Sequence, residues 1–362
     1  MAKFEGVKWA PGQMRYDLNE TKFELLEPDA KIFAVSRSIF YAAILCFEGI
    51  RFFCRRSDRG GLEVTFLNWH KNLERFRRGL EFNLSRQQRG LVPSAEELEN
   101  IFINLYFKHP TIRPFLEQMA DDGAQGYLRP FTVDEEQSMG VTFPGRPAIR
   151  AIFSRFDNYL GEPFTGVVIP HLVRASSVNK TGWLKLGVNY LISLKAIESA
   201  AEIVPGAAAA LFLDDLTHLP FRDRRVTEWD SSCCLFGLKD GTVVKIPESE
   251  LILPSVTIQG MVTILREMGF RVEERHLTYG ELIDRILARE LAVAASIGTA
   301  GIMNRAQKLV CIDEARQPVA VHEPDTGHSI YTALAEAKAY YWNIYKGQAR
   351  LPAGMKLYRY SI

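Results

Sequence analysis

Long apolar runs, an excess of charge of one sign and paired metal ligands are all missing from this 362-residue sequence. No apolar run reaches the roughly 18 residues that a membrane-spanning helix needs. The N-terminus lacks the apolar core of a signal peptide. The formal net charge of +1 gives no electrostatic reason to expect nucleic acid or an anionic membrane as a partner. These absences favour a cytoplasmic protein.

Neither the cysteines nor the histidines are spaced as metal ligands. The five cysteines form no CxxC pair, and the seven histidines show no HxxxH pattern. A metal centre is therefore not expected, and the cysteines are expected to be reduced thiols.

The rest of the composition, 47% hydrophobic and 24% charged, is that of a well-mixed globular protein. Such a chain is long enough for two domains, each with its own core. Residues 1–32 are polar, with a turn at Pro11-Gly12 and no sustained period, so they are predicted to form an irregular lead-in. Strand and helix patterns then predict an α+β first domain, and past Lys185 their alternation predicts a sheet covered by helices.

A lysine stands between apolar neighbours in the stretch at 183–191, just ahead of a predicted helix. Apolar residues recur with close to helical spacing between 188 and 204, which predicts one buried helical face. The positions of that face are 188, 191, 192, 194, 197 and 203. Because apolar surroundings favour a neutral amine, Lys185 is a candidate nucleophile for Schiff-base chemistry. An ordinary surface lysine is the alternative for this residue taken alone.

The seven residues that begin at Lys185, Lys-Leu-Gly-Val-Asn-Tyr-Leu, resemble the Lys-x-Gly-x-Asn-Tyr signature of the branched-chain aminotransferases. These are fold-type IV enzymes that use pyridoxal 5'-phosphate (PLP). The resemblance implies that Lys185 carries the cofactor as an aldimine. It also implies that Tyr190 hydrogen-bonds the phenolate oxygen of the cofactor ring. Further blocks resemble the same family and follow in the family's order.

The residues at 47–51, Phe-Glu-Gly-Ile-Arg, lie in a strand-like run at 39–53 and match the family's Phe-Glu-Gly-Ile/Leu-Arg/Lys strand. The match implies that Phe47 and Gly49 line the substrate pocket. A buried aromatic residue in a sheet is the alternative. The family usually has a tyrosine five residues before this phenylalanine, whereas this chain has Ala42.

The residues at 70–76, His-Lys-Asn-Leu-Glu-Arg-Phe, resemble the family's His-Leu-x-Arg-Leu/Met segment, whose arginine binds the cofactor phosphate. Arg75 is therefore the implied phosphate ligand. A guanidinium suits this role because its planar fork donates two parallel hydrogen bonds and stays charged. A solvated helix residue is the alternative for Arg75 taken alone.

The residues at 126–130, Gly-Tyr-Leu-Arg-Pro, match the family's Tyr-Ile-Arg-Pro strand. Since strand side chains alternate, Tyr127 and Arg129 are predicted to share one face, where a phenol beside a guanidinium suits a carboxylate. The resemblance implies that Tyr127 contacts the substrate α-carboxylate. In some members the arginine meets the side-chain carboxylate of glutamate. A strand with an exposed polar face is the alternative.

The residues at 226–236 resemble the family segment whose glutamate pairs with the pyridinium nitrogen of the cofactor, which nominates Glu228. This segment is one residue longer than the family pattern, and Cys234 stands where the family has asparagine. Asp230 is therefore kept as an alternative acid. The extra residue is expected to form a bulge.

The residues at 253–257, Leu-Pro-Ser-Val-Thr, resemble the family's Leu-Pro-Gly-Val/Ile-Thr and precede a predicted helix. Val256 and Thr257 are thereby implied to hold the PLP phosphate, since backbone N–H groups and the helix dipole favour an anion at a helix start. The sequence departs from the family with Ser255 for glycine and Ile258 for arginine. A simple helix cap is the alternative for the threonine.

The residues at 298–300, Gly-Thr-Ala, match a turn of the same family. In that turn the threonine contacts the phosphate, and backbone N–H groups receive the substrate carboxylate. The resemblance thus assigns Thr299 to both cofactor and substrate, and Ala300 to the substrate.

Together the blocks imply a two-domain fold-type IV enzyme of the α/β (α+β) class, with PLP between the domains. A small N-terminal α+β domain is expected at 1–153, an interdomain loop at 154–161 and a larger, PLP-binding domain of sheet and helices at 162–362. The implied activity is transfer of the amino group of an L-amino acid, branched-chain or otherwise hydrophobic, to a 2-oxo acid such as 2-oxoglutarate. The family works as homodimers whose pockets borrow a loop from the neighbour.

Two alternatives stay open. One is another enzyme of the same fold, a D-amino-acid transaminase or a PLP lyase such as aminodeoxychorismate lyase. The altered pocket strand favours it, and the Gly-Val-Asn-Tyr block opposes it. The other is a non-catalytic PLP-binding descendant, suggested by the departures near Glu228 and Val256. The presence of Lys185, Arg75 and Tyr190 together argues against this second alternative.

Overall fold

The computed structural model of the protein describes residues 3–31, 46–57, 60–156, 158–160 and 163–362. The chain divides into two compact units. The N-terminal unit comprises Phe4–Tyr159, Leu184–Val188 and Met355–Ile362, and the C-terminal unit comprises Met1–Lys3, Leu160–Trp183 and Asn189–Gly354. Each unit contains helices and a β-sheet, which confirms the predicted α/β (α+β) class. The expected domain boundaries at 1–153, 154–161 and 162–362 stay a prediction.

The secondary structure is as follows. Up to residue 160 the strands are β1 Lys3–Glu5, β2 Lys8–Trp9, β3 Gln13–Asp17, β4 Lys22–Leu26, β5 Ile50–Arg56, β6 Leu62–Leu67, β7 Gln125–Asp134, β8 Pro147–Phe156 and β9 Asn158–Leu160. The helices there are α1 Trp69–Asn83, a 3-10 helix Arg86–Leu91, α2 Ala95–Glu99, a π-helix Asn100–Phe107 and α3 Arg113–Asp122. Later strands are β10 Phe164–Ile169, β11 Ala209–Leu213, β12 Val226–Trp229, β13 Cys233–Leu238, β14 Thr242–Lys245, β15 Arg271–Glu274, β16 Leu291–Gly298, β17 Ile302–Ile312, β18 Pro318–His322 and β19 Leu357–Ser361. Later helices are α4 Gly187–Ile203, a 3-10 helix Phe221–Asp223, α5 Val256–Glu267, α6 Tyr279–Leu287 and α7 Ser329–Tyr345.

The N-terminal unit is built on one mainly antiparallel sheet. Its strands follow the order β19-β6-β5-β7-β8-β3-β4, with β2 added beside β8. Its core is aromatic, since the ring of Phe52 lies 5.1 Å from that of Phe107 and 5.4 Å from that of Phe153. Gly126 pairs with Phe52 across β5 and β7, and a Cβ there would lie 2.1 Å from the Phe52 ring. The glycine that precedes Tyr127 is therefore required by core packing.

The irregular lead-in expected for residues 1–32 is wrong. Strand β3 pairs with both β4 and β8. It escapes detection because its charged residues are buried in ion pairs: Arg15 Nη2 lies 2.8 Å from Asp17 Oδ2, and Arg15 Nε lies 2.8 Å from Glu135 Oε2. Charges that neutralise each other can occupy a strand without producing the apolar alternation that marks one.

Two other expectations fall partly outside the described residues. Of the strand expected at 39–53, positions 39–45 with Ala42 lie outside them, and the described part is β5 from Ile50 with isolated pairings at 46 and 47. Of the loop expected at 154–161, residues 157 and 161 lie outside them. Residues 154–156 belong to β8, because they pair with β7.

The C-terminal unit contains a closed ring of strands. The order β12-β11-β10-β17-β16-β13 is closed by the pairing of β13 with β12. Strands β14 and β15 extend the sheet from β13, and β18 pairs with β17. Closure matters for function because it places segments far apart in sequence side by side at one end of the ring.

The buried face of α4 differs from the predicted one. Its buried residues are small or polar, namely Asn189, Ser193, Ala196, Ser199 and Ala200. Leu191 and Leu194 are instead 59% and 64% exposed. Small side chains let the helix lie close to the apolar core of β10, β11 and β17, and Ile192, Ile197 and Ile203 pack at its margin. The prediction was wrong because helical spacing locates an apolar face without saying what covers it.

Candidate functional site

Lys185 is held by backbone hydrogen bonds beside a short segment at 46–48 of the N-terminal unit. The Phe47 N–H donates to the Lys185 carbonyl oxygen at 3.0 Å. The next residue, Glu48, donates its N–H to the Pro130 carbonyl oxygen of β7 at 2.8 Å. Isolated β-bridges lie beside both hydrogen bonds, since Cys46 pairs with Leu186 and Phe47 pairs with Phe131. The backbone at Lys185 is thus tied, through this segment, to the strand that carries Tyr127 and Arg129.

The side chains of four predicted site residues meet in this unit. The half-buried Lys185 has its Nζ 5.0 Å from the Phe47 ring centroid, and Arg129 Cζ lies 4.9 Å from the same centroid. Both distances are within the range of cation–π attraction. Arg129 also lies 5.0 Å from the Tyr127 ring and donates from Nη2 to the Tyr127 hydroxyl at 3.2 Å. A guanidinium that contacts two rings is suited to orient a carboxylate.

Gly49 supports this arrangement by leaving room for the tyrosine. A Cβ at position 49 would lie 2.1 Å from the Tyr127 hydroxyl oxygen. Any side chain there would displace the phenol. The place of Gly49 in the predicted substrate pocket therefore has a steric reason.

Arg75 does not stand alone on α1 but forms a buried ion pair with Glu48. Its Nε donates to Glu48 Oε2 at 2.7 Å, and its Nη2 donates to Glu48 Oε1 at 2.5 Å. The arginine is 5% exposed and the glutamate 0%. The solvated helix residue offered as the alternative is thus excluded for Arg75. Sequence reasoning missed Glu48, although a carboxylate next to a strand of apolar residues signals a buried charge in need of a partner.

Glu228 in the C-terminal unit is, like Glu48, a buried carboxylate that is held by hydrogen-bond donors. It is 3% exposed and forms an ion pair with Arg174. The Leu253 N–H donates to Glu228 Oε1 at 3.3 Å, and Arg174 Nη2 also donates to the Leu251 carbonyl oxygen at 3.2 Å. Arg174, which sequence reasoning missed, therefore joins the glutamate to the segment that leads into α5.

Asp230, the alternative acid, has different surroundings. Its carboxylate accepts the Ala210 N–H of β11 at 2.9 Å. Burial raises the pKa of this carboxyl group. A β-bulge lies just before Asp230. Leu211 pairs with Trp229 and Leu213 pairs with Val226, so two residue steps on β11 face three residue steps on β12. An extra residue is thus accommodated by a bulge that includes Glu228, and Asp230 ties β12 to β11.

The sheet register brings the remaining predicted segments towards Glu228. Glu228 pairs with Cys233 of β13, which pairs with Ile297 of β16. Thr299 follows two residues later, in the turn between β16 and β17, where it and Ala300 are half-buried. Together with the Leu253 contact, this register collects the segments near 228, 253–257 and 299 at one end of the strand ring.

Helix α5 begins at the predicted phosphate residues. Val256 and Thr257 are its first two residues, and both are buried. Their N–H groups have no acceptor within the helix, because the first turn of an α-helix leaves its donors unpaired. The Ser255 hydroxyl caps the helix by accepting the Ile258 N–H at 3.3 Å. The first turn therefore offers an anion two backbone donors.

Tyr190 lies in the first turn of α4 and is half-buried. Its neighbour Asn189 is 2% exposed and donates from Nδ2 to the Thr181 carbonyl oxygen at 2.8 Å. The Asn-Tyr pair of the signature thus combines a buried residue that fixes the helix start with a half-buried tyrosine.

Known proteins provide an independent comparison. No family model matches the chain. A branched-chain-amino-acid aminotransferase of Helicobacter pylori is 26% identical over 313 residues, which cover 84% of this chain and 79% of that protein. The solved branched-chain amino acid aminotransferase of Escherichia coli has a TM-score of 0.65 at 19% identity, and the match covers 96% of this chain and 98% of that one. That of Thermobaculum terrenum, solved in its PLP-form, has a TM-score of 0.66 at 16% identity, with 94% of this chain and 95% of that one covered. The chain is thus similar in sequence to branched-chain aminotransferases over most of its length, and it shares the fold of the solved ones.

Three departures from the branched-chain aminotransferase pattern have local explanations. Cys234, in place of asparagine, is buried and donates its thiol to the Thr227 carbonyl oxygen at 3.2 Å. Burial raises the pKa of this thiol well above its ordinary value, so it remains a donor. Ser255, in place of glycine, caps α5, and Ile258, in place of arginine, is 2% exposed in the apolar interior. The last change removes a cation that the family pattern supplies.

Neither a metal-binding cluster nor a membrane-spanning helix is present in the described part of the chain. Among the residues that the structure describes, no three histidine, cysteine, aspartate or glutamate side chains form a group that could hold a metal ion. Within the same ranges, no helix has the length and apolar character needed to cross a membrane.

Each unit therefore has its own cluster of predicted residues. The N-terminal unit brings together Phe47, Gly49, Tyr127, Arg129 and Lys185, with Arg75 on the far side of the segment at 46–48. The C-terminal unit groups Glu228 with the segments that contain Val256, Thr257, Thr299 and Ala300. The buried ion-pair partners Glu48 and Arg174 complete these clusters. Neither was predicted as a site residue from the family resemblance.

Proposed function

We propose that this chain is a PLP-dependent aminotransferase that transfers the amino group of a branched-chain or other hydrophobic L-amino acid to a 2-oxo acid such as 2-oxoglutarate. The observation that carries the proposal is the placement of the Lys185 amine and the Arg129 guanidinium over the same Phe47 ring. This arrangement places a nucleophilic amine and a carboxylate-binding group each within 5.0 Å of the centroid of one aromatic ring. The Helicobacter pylori relative is named a branched-chain-amino-acid aminotransferase, which supports the same activity.

The residues present fit PLP on the chemistry of their side chains. Glu228 is a buried carboxylate, suited to a protonated ring nitrogen, and Arg75 is a buried guanidinium, suited to a phosphate. The first turn of α5 adds backbone donors from Val256 and Thr257, and Thr299 adds a hydroxyl. When bound, PLP supplies an electron sink for the electron pair left at the substrate Cα.

The chain's own residues then have separate tasks. Lys185 would hold the cofactor through Nζ and, once released by the substrate amine, would take the proton from the substrate Cα as general base and deliver it to the cofactor C4′ as general acid. Glu228, in its ion pair with Arg174, would hold the proton on the ring nitrogen. Tyr190 would donate its hydroxyl hydrogen to the ring phenolate oxygen. The surroundings of Asp230 favour Glu228 for its task, since the aspartate binds the backbone of β11.

Tyr127 and Arg129, the polar pair on β7, are proposed to orient the substrate. Arg129 is fixed by the Phe47 and Tyr127 rings, so its guanidinium offers a carboxylate a pre-oriented fork. We assign the α-carboxylate to Tyr127 and the Thr299–Ala300 turn, and the second carboxylate of a substrate such as 2-oxoglutarate to Arg129. Phe47 presents its ring, beside the Gly49 backbone, to an apolar substrate side chain.

A half-reaction screen tests this function. The purified, cofactor-loaded protein is mixed with single L- and D-amino acids, and conversion to the pyridoxamine form is followed by absorbance. L-leucine, L-isoleucine or L-valine should convert it, and 2-oxoglutarate should restore the starting form. Conversion by D-amino acids alone would support a D-amino-acid transaminase, and a released product without the pyridoxamine form would support a lyase. If no amino acid reacts, the aminotransferase proposal is abandoned.

The phosphate assignment predicts a loss of affinity in Thr257→Val. Valine keeps the shape of threonine but lacks its hydroxyl, and a hydrogen bond to a charged group contributes about 1.5 to 3 kcal/mol. The dissociation constant for PLP should therefore rise roughly ten- to hundredfold, as measured by equilibrium dialysis. Thr263→Val on the same helix is the control, because the Thr263 hydroxyl donates to the Gln259 carbonyl oxygen at 2.9 Å. Equal affinities in the two variants would refute the assignment.

We also propose that two copies of the chain form a homodimer. On α4, Leu191 and Leu194 are 59% and 64% exposed. In the N-terminal unit, three apolar side chains, Met139, Val141 and Phe143, are exposed between residues 136 and 146. The base of this loop is fixed, since Asp134 Oδ1 accepts N–H groups of both residue 136 and residue 146. Clusters of exposed apolar residues are typical of interfaces.

Sedimentation velocity tests this assembly. The wild-type protein should sediment as two chains, and the double variant Leu191→Glu/Leu194→Glu should sediment as one, because burying two carboxylates opposes association. Leu287→Glu is the control, since Leu287 is 63% exposed at the end of α6. A wild-type protein that sediments as a single chain would contradict the proposal.

The cytoplasm is the compartment we propose. The five cysteines are buried free thiols, and reduced cysteines are typical of that compartment.

A further inference from the structure

The carboxylate of Glu48 has a complete set of donors although water does not reach it. Oε2 accepts from Arg75 Nε at 2.7 Å. Oε1 accepts from Arg75 Nη2 at 2.5 Å and from the Gly49 N–H at 2.7 Å. The residue is 0% exposed. The carboxylate is directed at one edge of the Arg75 guanidinium.

The backbone of Glu48 is held by contacts that do not involve Arg75. Its backbone is anchored to Pro130, and the preceding residue is anchored to Lys185. Two positions earlier, Cys46 lies against α1 so closely that a Cβ on Gly79 would come within 2.7 Å of the Cys46 Cβ. Cys46 and Glu48 thus face α1, while Phe47 between them faces Lys185. The segment holds a negative charge in a fixed place beneath the helix.

We infer that Glu48 is a positioning residue that acts as an internal counter-anion for Arg75 before a phosphate-bearing ligand binds. A guanidinium that is 5% exposed needs an anion, because an unpaired buried charge is strongly destabilising. Glu48 therefore keeps the arginine buried and oriented before the ligand binds. The inference rests on the proposed function in one respect, the assignment of a phosphate to Arg75.

Thermal unfolding of the full-length, cofactor-free protein tests this inference, with inorganic phosphate as the probe. Glu48→Gln should lower Tm by several degrees, because it leaves the Arg75 charge buried without its anion. The double variant Glu48→Gln/Arg75→Met should unfold at a higher temperature than Glu48→Gln, since it removes the unpaired charge. Millimolar phosphate should raise Tm of Glu48→Gln by more than it raises that of the wild type. Potassium chloride at equal ionic strength should not do so.

Two further variants make the outcome unambiguous. Glu63→Gln removes the partner of Arg55 on the same sheet, an ion pair of 2.6 Å with a half-exposed arginine, and should show no added response to phosphate. Glu48→Asp keeps the negative charge, so it should respond to phosphate as the wild type does even if Glu48→Gln does not fold. The inference is overturned if phosphate stabilises Glu48→Gln no more than the wild type, or stabilises Glu48→Asp more than the wild type. Failure of the proposed function is seen separately, as an absence of amino-acid conversion in the wild-type protein.

Discussion

Lys185→Ala is expected to purify without covalently bound cofactor and to lose transamination. The lost proton transfer alone should reduce the rate by about 10²- to 10⁴-fold, and the loss of covalent attachment adds to this. The variant should fold, because the hydrogen bond from the Phe47 N–H ends on the backbone carbonyl of residue 185. Lys185→Arg should be equally inactive, since a guanidinium cannot form the covalent link.

Peptide mapping after borohydride reduction provides the decisive measurement for Lys185. Mass spectrometry of the reduced wild-type protein should place the cofactor adduct on the peptide that contains this lysine. Lys195→Ala is the matched control, because the Lys195 side chain is exposed on α4, forms an ion pair with Glu198 and should be replaceable. An adduct on any other lysine would show that the whole assignment of blocks is misplaced.

Glu228→Gln is expected to retain PLP while losing most of its transamination rate. A neutral amide cannot stabilise the charge of a protonated ring nitrogen. Removal of one pre-oriented electrostatic contact typically costs roughly 10²- to 10³-fold in rate. The same change leaves Arg174 buried without its anion, so it should also lower the free energy of unfolding.

The double variant Glu228→Gln/Arg174→Met separates these two effects. Removing both charges should recover stability in urea denaturation without recovering the rate, because the carboxylate is still missing. Asp230→Asn is the control for the alternative acid. An amide oxygen can still accept the Ala210 N–H, so this variant should keep most of its rate. A large rate loss in Asp230→Asn, with little change in Glu228→Gln, would transfer the assignment to Asp230.

Short local patterns were informative where a residue's role depends on its immediate neighbours. The signature at Lys185 and the alternation of Tyr127 and Arg129 identified side chains that the structure brings over one ring. The start of α5 at Val256 was also recoverable, since a helix start is encoded by a few adjacent residues. The resemblance to the branched-chain aminotransferases and the fold class could therefore be recognised before any tertiary contact was known.

Partners of buried charges were decided only by the tertiary structure. Glu48 and Arg75 are 27 positions apart, and Arg174 and Glu228 are 54 apart. No periodicity links such residues, because the pairing depends on how strands and helices fold back on each other. Strand β3 was missed for the same reason, since the partners that make Arg15 compatible with a buried strand include Glu135.

The sequence also did not show which face of a helix is covered by the rest of the protein. On α4 the apolar spacing pointed to Leu191 and Leu194, yet the sheet of the C-terminal unit covers the small residues Ala196 and Ala200. The sequence by itself determined that α4 is a helix, since hydrogen bonds within a helix join residues only four apart. The tertiary structure decided its orientation, and it decided equally that β19, near the end of the chain, pairs with β6 in the N-terminal unit. Both outcomes depend on close packing between distant segments, which local spacing does not encode.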